Sequence, residues 1–236
     1  MKFRYWITTS LALTLVVTFG LSAHAHFVWV ALSQPNQASL YFGEGPEPSE
    51  ADLLDRVQQS EVFARSADGK YVPLKLEKLV EGTNGSWTVQ QPNAQWQGLE
   101  AVCDYGVLAK GDSPFWLKYY AKYIDTKSLA NVTLCDSQKL PLDIVPSRTA
   151  DGIQLQVQFD GKPVAEAEVV IQDDAYNETK TKTDAAGNVL LKDAKPVTYT
   201  VRAKLVEENQ GEQDGKKYDT IRHYSTVTLN LADDSK

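Results

Sequence analysis

Ile153-Gln154-Leu155-Gln156-Val157-Gln158-Phe159 is the stretch that decides the fold class. Apolar and polar residues alternate there without a break, the period of a strand with one face in a core. Asp160-Gly161 then turns the chain and Pro163 ends the turn. Further on, Ala167, Val169 and Ile171 alternate again, and Thr183-Asp184-Ala185-Ala186-Gly187-Asn188 reads as another turn before Val189 and Leu191. Val197, Tyr199, Val201, Ala203 and Leu205 share one face of the next strand. Glu207–Lys217 is polar and reads as a loop. The last strand carries Ile221, His223, Ser225, Val227, Leu229 and Leu231 on one side. Short strands at this spacing, with no long helical pattern, predict a β-sandwich.

Toward the N-terminus the same chemistry continues less regularly. His26–Val30 and Ser39–Phe42 read as strands, and Gly43-Glu44-Gly45-Pro46-Glu47-Pro48 breaks the second. Ser49 offers an N-cap, with Asp52, Leu53, Leu54 and Val57 following, so the spacing predicts a helix of about two to three turns. Glu61–Ala64, Tyr71–Leu79, Trp87–Gln90, Leu99–Leu108 and Phe115–Ile124 are further strand candidates, and Pro141–Asp151 reads as a linker. The expectation is an all-β protein of two β-sandwich modules, Ig-like or prealbumin-like, with one short helix. The N-terminal β-rich module would span 26–147 and the C-terminal Ig-like sandwich 148–236.

Residues 1–25 have a different character. Lys2 and Arg4 precede an apolar run from Trp6 to Leu21, and Ala23-His24-Ala25 follows. This is the pattern of a cleaved secretory signal peptide, which predicts a periplasmic or secreted protein with no stable membrane span after cleavage. The formal net charge is −7, so the basic footprint of a nucleic-acid partner is absent. In an oxidising compartment, Cys103 and Cys135 read as a disulfide pair. Their wide spacing lacks the close pairing of a zinc motif.

The sequence carries no Walker loop, no G-x-S-x-G elbow and no H-E-x-x-H. It has 3 histidines, and cleavage after Ala25 leaves His26 at the new N-terminus with only His223 beside it. A histidine-based catalytic machinery has little to draw on, and no enzymatic role is expected. The distinctive group is instead the terminal histidine. Its free amine and ring Nδ1 can both deprotonate near neutrality and chelate one metal ion. His223 would complete a three-nitrogen site, and Glu44, between two glycines, could close the coordination sphere. Such a set suits Cu(II) or Ni(II), with Co(II) and Zn(II) within reach. Cleavage after Ala23 would instead give His24-Ala25-His26, which also binds Cu(II) or Ni(II) through amine, amides and imidazole. The only methionine, Met1, falls in the leader, which argues against a thioether-rich Cu(I) carrier. Tyr105, Tyr119, Tyr120 and Trp116 lie at strand spacing and read as core rather than ligands.

Several segments together carry a resemblance: Ala25-His26-Phe27-Val28-Trp29-Val30, Leu40-Tyr41-Phe42-Gly43-Glu44, and Asp104-Tyr105-Gly106 with Tyr119-Tyr120-Ala121-Lys122. Asp160-Gly161-Lys162-Pro163-Val164, Thr183-Asp184-Ala185-Ala186-Gly187 and His223-Tyr224-Ser225-Thr226-Val227-Thr228 complete the set. The chain resembles a bacterial family of domains of unknown function described as the periplasmic component of ABC-type cobalt/nickel transport. Its C-terminal half is also similar to the Ig-like or prealbumin-like sandwich of carboxypeptidase regulatory domains. The resemblance implies a periplasmic metal-binding protein for nickel or cobalt, with His26 and His223, and more weakly Glu44, as ligands. Its partners would be the metal ion and a membrane uptake transporter. Two other readings compete. A non-metal structural or adhesion module would only display loops such as Glu207–Lys217. A copper monooxygenase is similar in having an N-terminal histidine, a second histidine and a β-sandwich.

Overall fold

The computed structural model describes residues 26–33, 37–89, 96–109 and 113–231, and the expected leader lies outside them. The N-terminal strands are β1 (Phe27–Ser33), β2 (Gln37–Gly43), β3 (Ser49–Glu50), β4 (Glu61–Ser66), β5 (Tyr71–Leu74), β6 (Glu77–Glu81), β7 (Asn84–Thr88), β8 (Trp96–Leu108) and β9 (Phe115–Asp125). Then come β10 (Leu142–Thr149), β11 (Gly152–Phe159), β12 (Lys162–Pro163), β13 (Glu168–Gln172), β14 (Glu178–Lys182) and β15 (Asn188–Lys192). The chain ends with β16 (Thr198–Glu207), β17 (Gly211–Gln213), β18 (Lys216–Tyr218) and β19 (Thr220–Asn230). The protein is all-β and sandwich-like, as the alternating runs predict.

The frame is an eight-stranded sheet in the order β14-β13-β16-β19-β9-β8-β4-β5. Strands from both sides of residue 147 share it, joined where β19 runs parallel to β9. A five-stranded sheet of β1, β2, β3, β6 and β7 covers one face, and a four-stranded sheet of β10, β11, β12 and β15 lies over the other. Strand β9 is buried on both sides, so the period-2 rule assigns its side chains alternately to two cores. Leu117, Tyr119, Ala121 and Tyr123 join Val28, Trp29, Val30 and Leu40 in the first core. Tyr120 and Ile124 join Leu142, Ile144, Leu155 and Val157 in the second. Each fully buried aliphatic side chain contributes roughly 1.5–3 kcal/mol by leaving water. On the first-core side, the Thr226 hydroxyl of β19 donates to the Val28 carbonyl of β1 at 2.7 Å.

Several expectations change at particular residues. The helix from Ser49 is not formed. Ser49 lies in β3, and its hydroxyl donates to the Phe42 carbonyl at 2.6 Å instead of capping a turn. Only a single 3-10 turn forms, over Leu54–Val57, burying Leu54 and Val57. The linker at 141–151 is instead mostly β10, with Leu142 opposite Phe159 and Ile144 opposite Val157. The polar loop at 207–217 contains the β17–β18 hairpin, because Asp214 and Gly215 both take the left-handed conformation a tight two-residue turn requires. The strand at 71–79 divides into β5 and β6. The disulfide is not formed. Cys103 points into the first core and Cys135 into the second, and both are free and buried.

Buried charges organise the stretch between β9 and β10. Arg65 pairs with Glu100, and Lys122 lies 2.6 Å from the Asp143 carboxylate, all of them nearly inaccessible. Lys122 also donates to the Cys135 carbonyl at 2.5 Å, and Arg65 to the Thr133 carbonyl at 2.6 Å. These charges therefore close orphan carbonyls of the segment they hold down.

Candidate functional site

His26 is placed by the β1–β2 ladder. Phe27 pairs with Gly43, so His26 and Glu44 lie opposite each other one step beyond the last pair. The His26 carbonyl accepts a 3.0 Å hydrogen bond from the Tyr119 hydroxyl, and its ring packs against Phe42 at 5.5 Å between centroids. Burial pushes the Tyr119 phenol up from its ordinary pKa, so it remains a donor. The ring of His26 is only partly buried. Its surroundings divide into two cavities, each about 340 Å³.

One cavity is acidic and hydroxylic, lined by His26, Glu44, Glu47, Ser49, Glu50 and Asn84. Both Glu44 and Glu47 are exposed. The other is aromatic, with His26, Phe42, Tyr105, Tyr119 and Tyr224 in its wall. Arg56 and Arg222 enter this second cavity from the 3-10 turn and from β19. A larger cavity, of about 550 Å³, lies at the far end, between residues 148–153 and 192–196, and touches neither histidine.

His223 is elsewhere. Its neighbour Tyr224 packs on Phe27 and Tyr119, at 5.2 and 6.0 Å, on the face that carries His26. Strand alternation sends His223 to the opposite face. There it is buried, stacked on Tyr120 at 5.9 Å with Phe159 edge-on at 5.0 Å. Both ring nitrogens are occupied. Nδ1 lies 3.0 Å from the Tyr120 hydroxyl and Nε2 2.7 Å from the Glu207 carboxylate. The carboxylate can only accept from the neutral ring, so Nε2 carries the proton and Nδ1 accepts from Tyr120. Burial lowers the His223 pKa below the ordinary imidazole value, with Glu207 pulling the other way.

The structure therefore brings His26 and Glu44 to one cavity and leaves His223 outside it. Among the described residues, no group of three or more His, Cys, Asp and Glu side chains stands together to hold a metal. The expected His26–His223 pair does not fit a metal. His26 fits differently. With a free amine it would offer two nitrogens, and Glu44 or Glu47 an oxygen, so two residues would supply three donors. The parity of His223 with Val227 and Leu229 already signals burial in the sequence. No local signal marks Arg56, Arg222, Tyr224 or Glu207, whose roles depend on strand pairings across the whole chain.

A family model described as a domain of unknown function (DUF4198) matches residues 23–207. The matched stretch includes His26 and Glu44 and ends before β19 and His223. No curated protein matches the chain.

Proposed function

The chain belongs to the DUF4198 family, whose activity is open. We propose that it is a binding protein for a divalent transition metal; the leader pattern supports a periplasmic or secreted location, and the resemblance to cobalt/nickel transport components puts nickel or cobalt before copper or zinc. The observation that carries this reading is the shared cavity of His26 and Glu44, set opposite each other at the end of the β1–β2 ladder. After cleavage at Ala25, the His26 amine and ring Nδ1 would hold the ion and Glu44 or Glu47 would complete the set. The bound ion supplies charge that an acidic cleft neutralises, and no catalytic step is assigned to it. Glu44 and Glu47 are exposed and His26 is only partly buried, so the ion would stay within reach of a partner such as an uptake transporter rather than be enclosed as a structural element. His223 belongs to the packing of the second core rather than to the ligand set, so a two-imidazole copper brace finds no support in the arrangement.

The donors must be deprotonated to bind, so affinity should fall with pH. Calorimetric titration of the processed chain with nickel and with cobalt at pH 8 and pH 5 tests this. The expected result is a steep loss of affinity at the lower pH, because protons compete with the ion for the amine and imidazole nitrogens. An affinity equal at both pH values would remove this donor set.

A further inference from the structure

The aromatic cavity beside His26 is not needed to hold a cation, and two guanidinium groups would oppose one. We infer that this cavity binds a small organic carboxylate with a flat apolar body. The walls of Phe42, Tyr105, Tyr119 and Tyr224 enclose about 340 Å³, the lower end of the range for small-ligand pockets. Phe42, Tyr105 and Tyr119 already pack ring on ring at 5.7 to 6.1 Å, which makes a rigid surface for another flat group.

The charge argument concerns Arg56 and Arg222. Among the described residues neither has a carboxylate partner, whereas Arg65 is spent on Glu100 and Arg202 on Glu178. Arg222 stacks over the Phe115 ring at 3.7 Å. Stacking fixes the plane of the guanidinium while leaving its N–H edge free for a bidentate acceptor. A carboxylate matches that edge, and its flat body would lie against the aromatic wall. A neutral apolar ligand would cover the half-buried Arg222 guanidinium without giving it a counter-charge, while the exposed Arg56 adds positive charge at the cavity's edge. The inference goes beyond the metal reading, since none of these contacts requires a metal. His26 lines both cavities, so the carboxylate has two sources: a free anion, or a chelator carrying the metal to His26.

The test is calorimetric titration of the processed full chain with benzoate, with its neutral isostere benzamide, and with dipicolinate alone or as its nickel complex. Benzoate should bind saturably with a Kd below ~5 mM, and benzamide about tenfold more weakly or not at all. Arg222→Gln should weaken benzoate about tenfold without moving Tm. Arg56→Gln, on an exposed turn that the core does not depend on, should act in the same direction and covers the case in which the β19 variant folds poorly. Tighter binding of the nickel complex than of dipicolinate alone would identify the chelator as the source. Equal binding would identify the free anion, and would do so whether or not the metal reading survives. Benzamide binding as well as benzoate, no saturable benzoate binding, or wild-type affinity in both arginine variants would overturn the inference.

Discussion

His26 and His223 stand on opposite faces of one sheet, and their surroundings differ in kind. His26 lies at a ladder end, partly exposed, held by its backbone carbonyl, with its ring left to face two cavities. His223 lies inside a strand, buried, with both ring nitrogens bonded to side chains from other strands. One ring is positioned without being consumed, and the other is consumed by its position. A histidine's type and its place near a terminus or in a strand are visible in a sequence. Whether its nitrogens are already occupied is a tertiary property, and here it separates a ring that lines two cavities from a ring bonded at both nitrogens.

The comparison can be broken in graded ways. The largest effect belongs to the closed side. Lys122→Met leaves Asp143 buried without its counter-charge, and should cost about 3–5 kcal/mol in urea unfolding while leaving nickel affinity unchanged in whatever fraction stays folded. Next is His223→Ala, which orphans the Tyr120 hydroxyl and opens space beside Phe159. The expected loss is roughly 2–4 kcal/mol by the same measurement, against less than ~1 kcal/mol for His26→Ala. Similar losses for the two histidines would erase the distinction drawn between them.

Acid should sharpen the contrast. Burial holds the folded His223 ring below the ordinary imidazole range. Between that folded pKa and the unfolded value near 6.5, the unfolded chain binds a proton that the folded chain refuses. The stability tied to His223 is therefore whole above about pH 6.5 and declines as pH falls below it toward the folded pKa. Glu207, Lys118 and Asp160 also act on the ring, but Glu207→Gln should steepen the decline by removing the main support for the charged form. His223→Gln should flatten it in chemical denaturation across pH 7 to pH 5. The smallest effect expected is none. With Cys103 and Cys135 free in separate cores, dithiothreitol should leave Tm unchanged, and both thiols should react with a thiol reagent only after unfolding. Burial also pushes the Cys103 thiol up to about 11, which slows its reaction further.

Much of the fold was legible where one rule acted alone. Residues 153–159 alternate without interruption and pair as β11 on both sides. The stretch at 141–151 reads as a linker because Pro141, Pro146 and Ser147 punctuate it, although Leu142 and Ile144 keep strand parity. Pro146 is tolerated because β10 is an edge strand and need not donate on its outer side. Ser49 looked like a cap, and its hydroxyl went to the Phe42 carbonyl across a turn instead. The glycines around it single out Glu44 in the sequence and the leader pattern before it singles out His26, and the structure sets the two in one cavity. The burial of His223 is legible from its parity with Val227 and Leu229, but its separation from His26 is not, because that depends on β19 joining β9 in parallel, about a hundred residues away in sequence.

The most direct test of the central claim is nickel titration, by native mass spectrometry, of processed chain beginning at His26, comparing wild type with His26→Ala and His223→Gln. One ion per wild-type chain, loss of about a hundredfold or more in affinity with His26→Ala, and affinity within about threefold of wild type with His223→Gln is the predicted result. Loss of affinity in His223→Gln equal to that in His26→Ala, with both variants folded, would contradict it and return His223 to the ligand set.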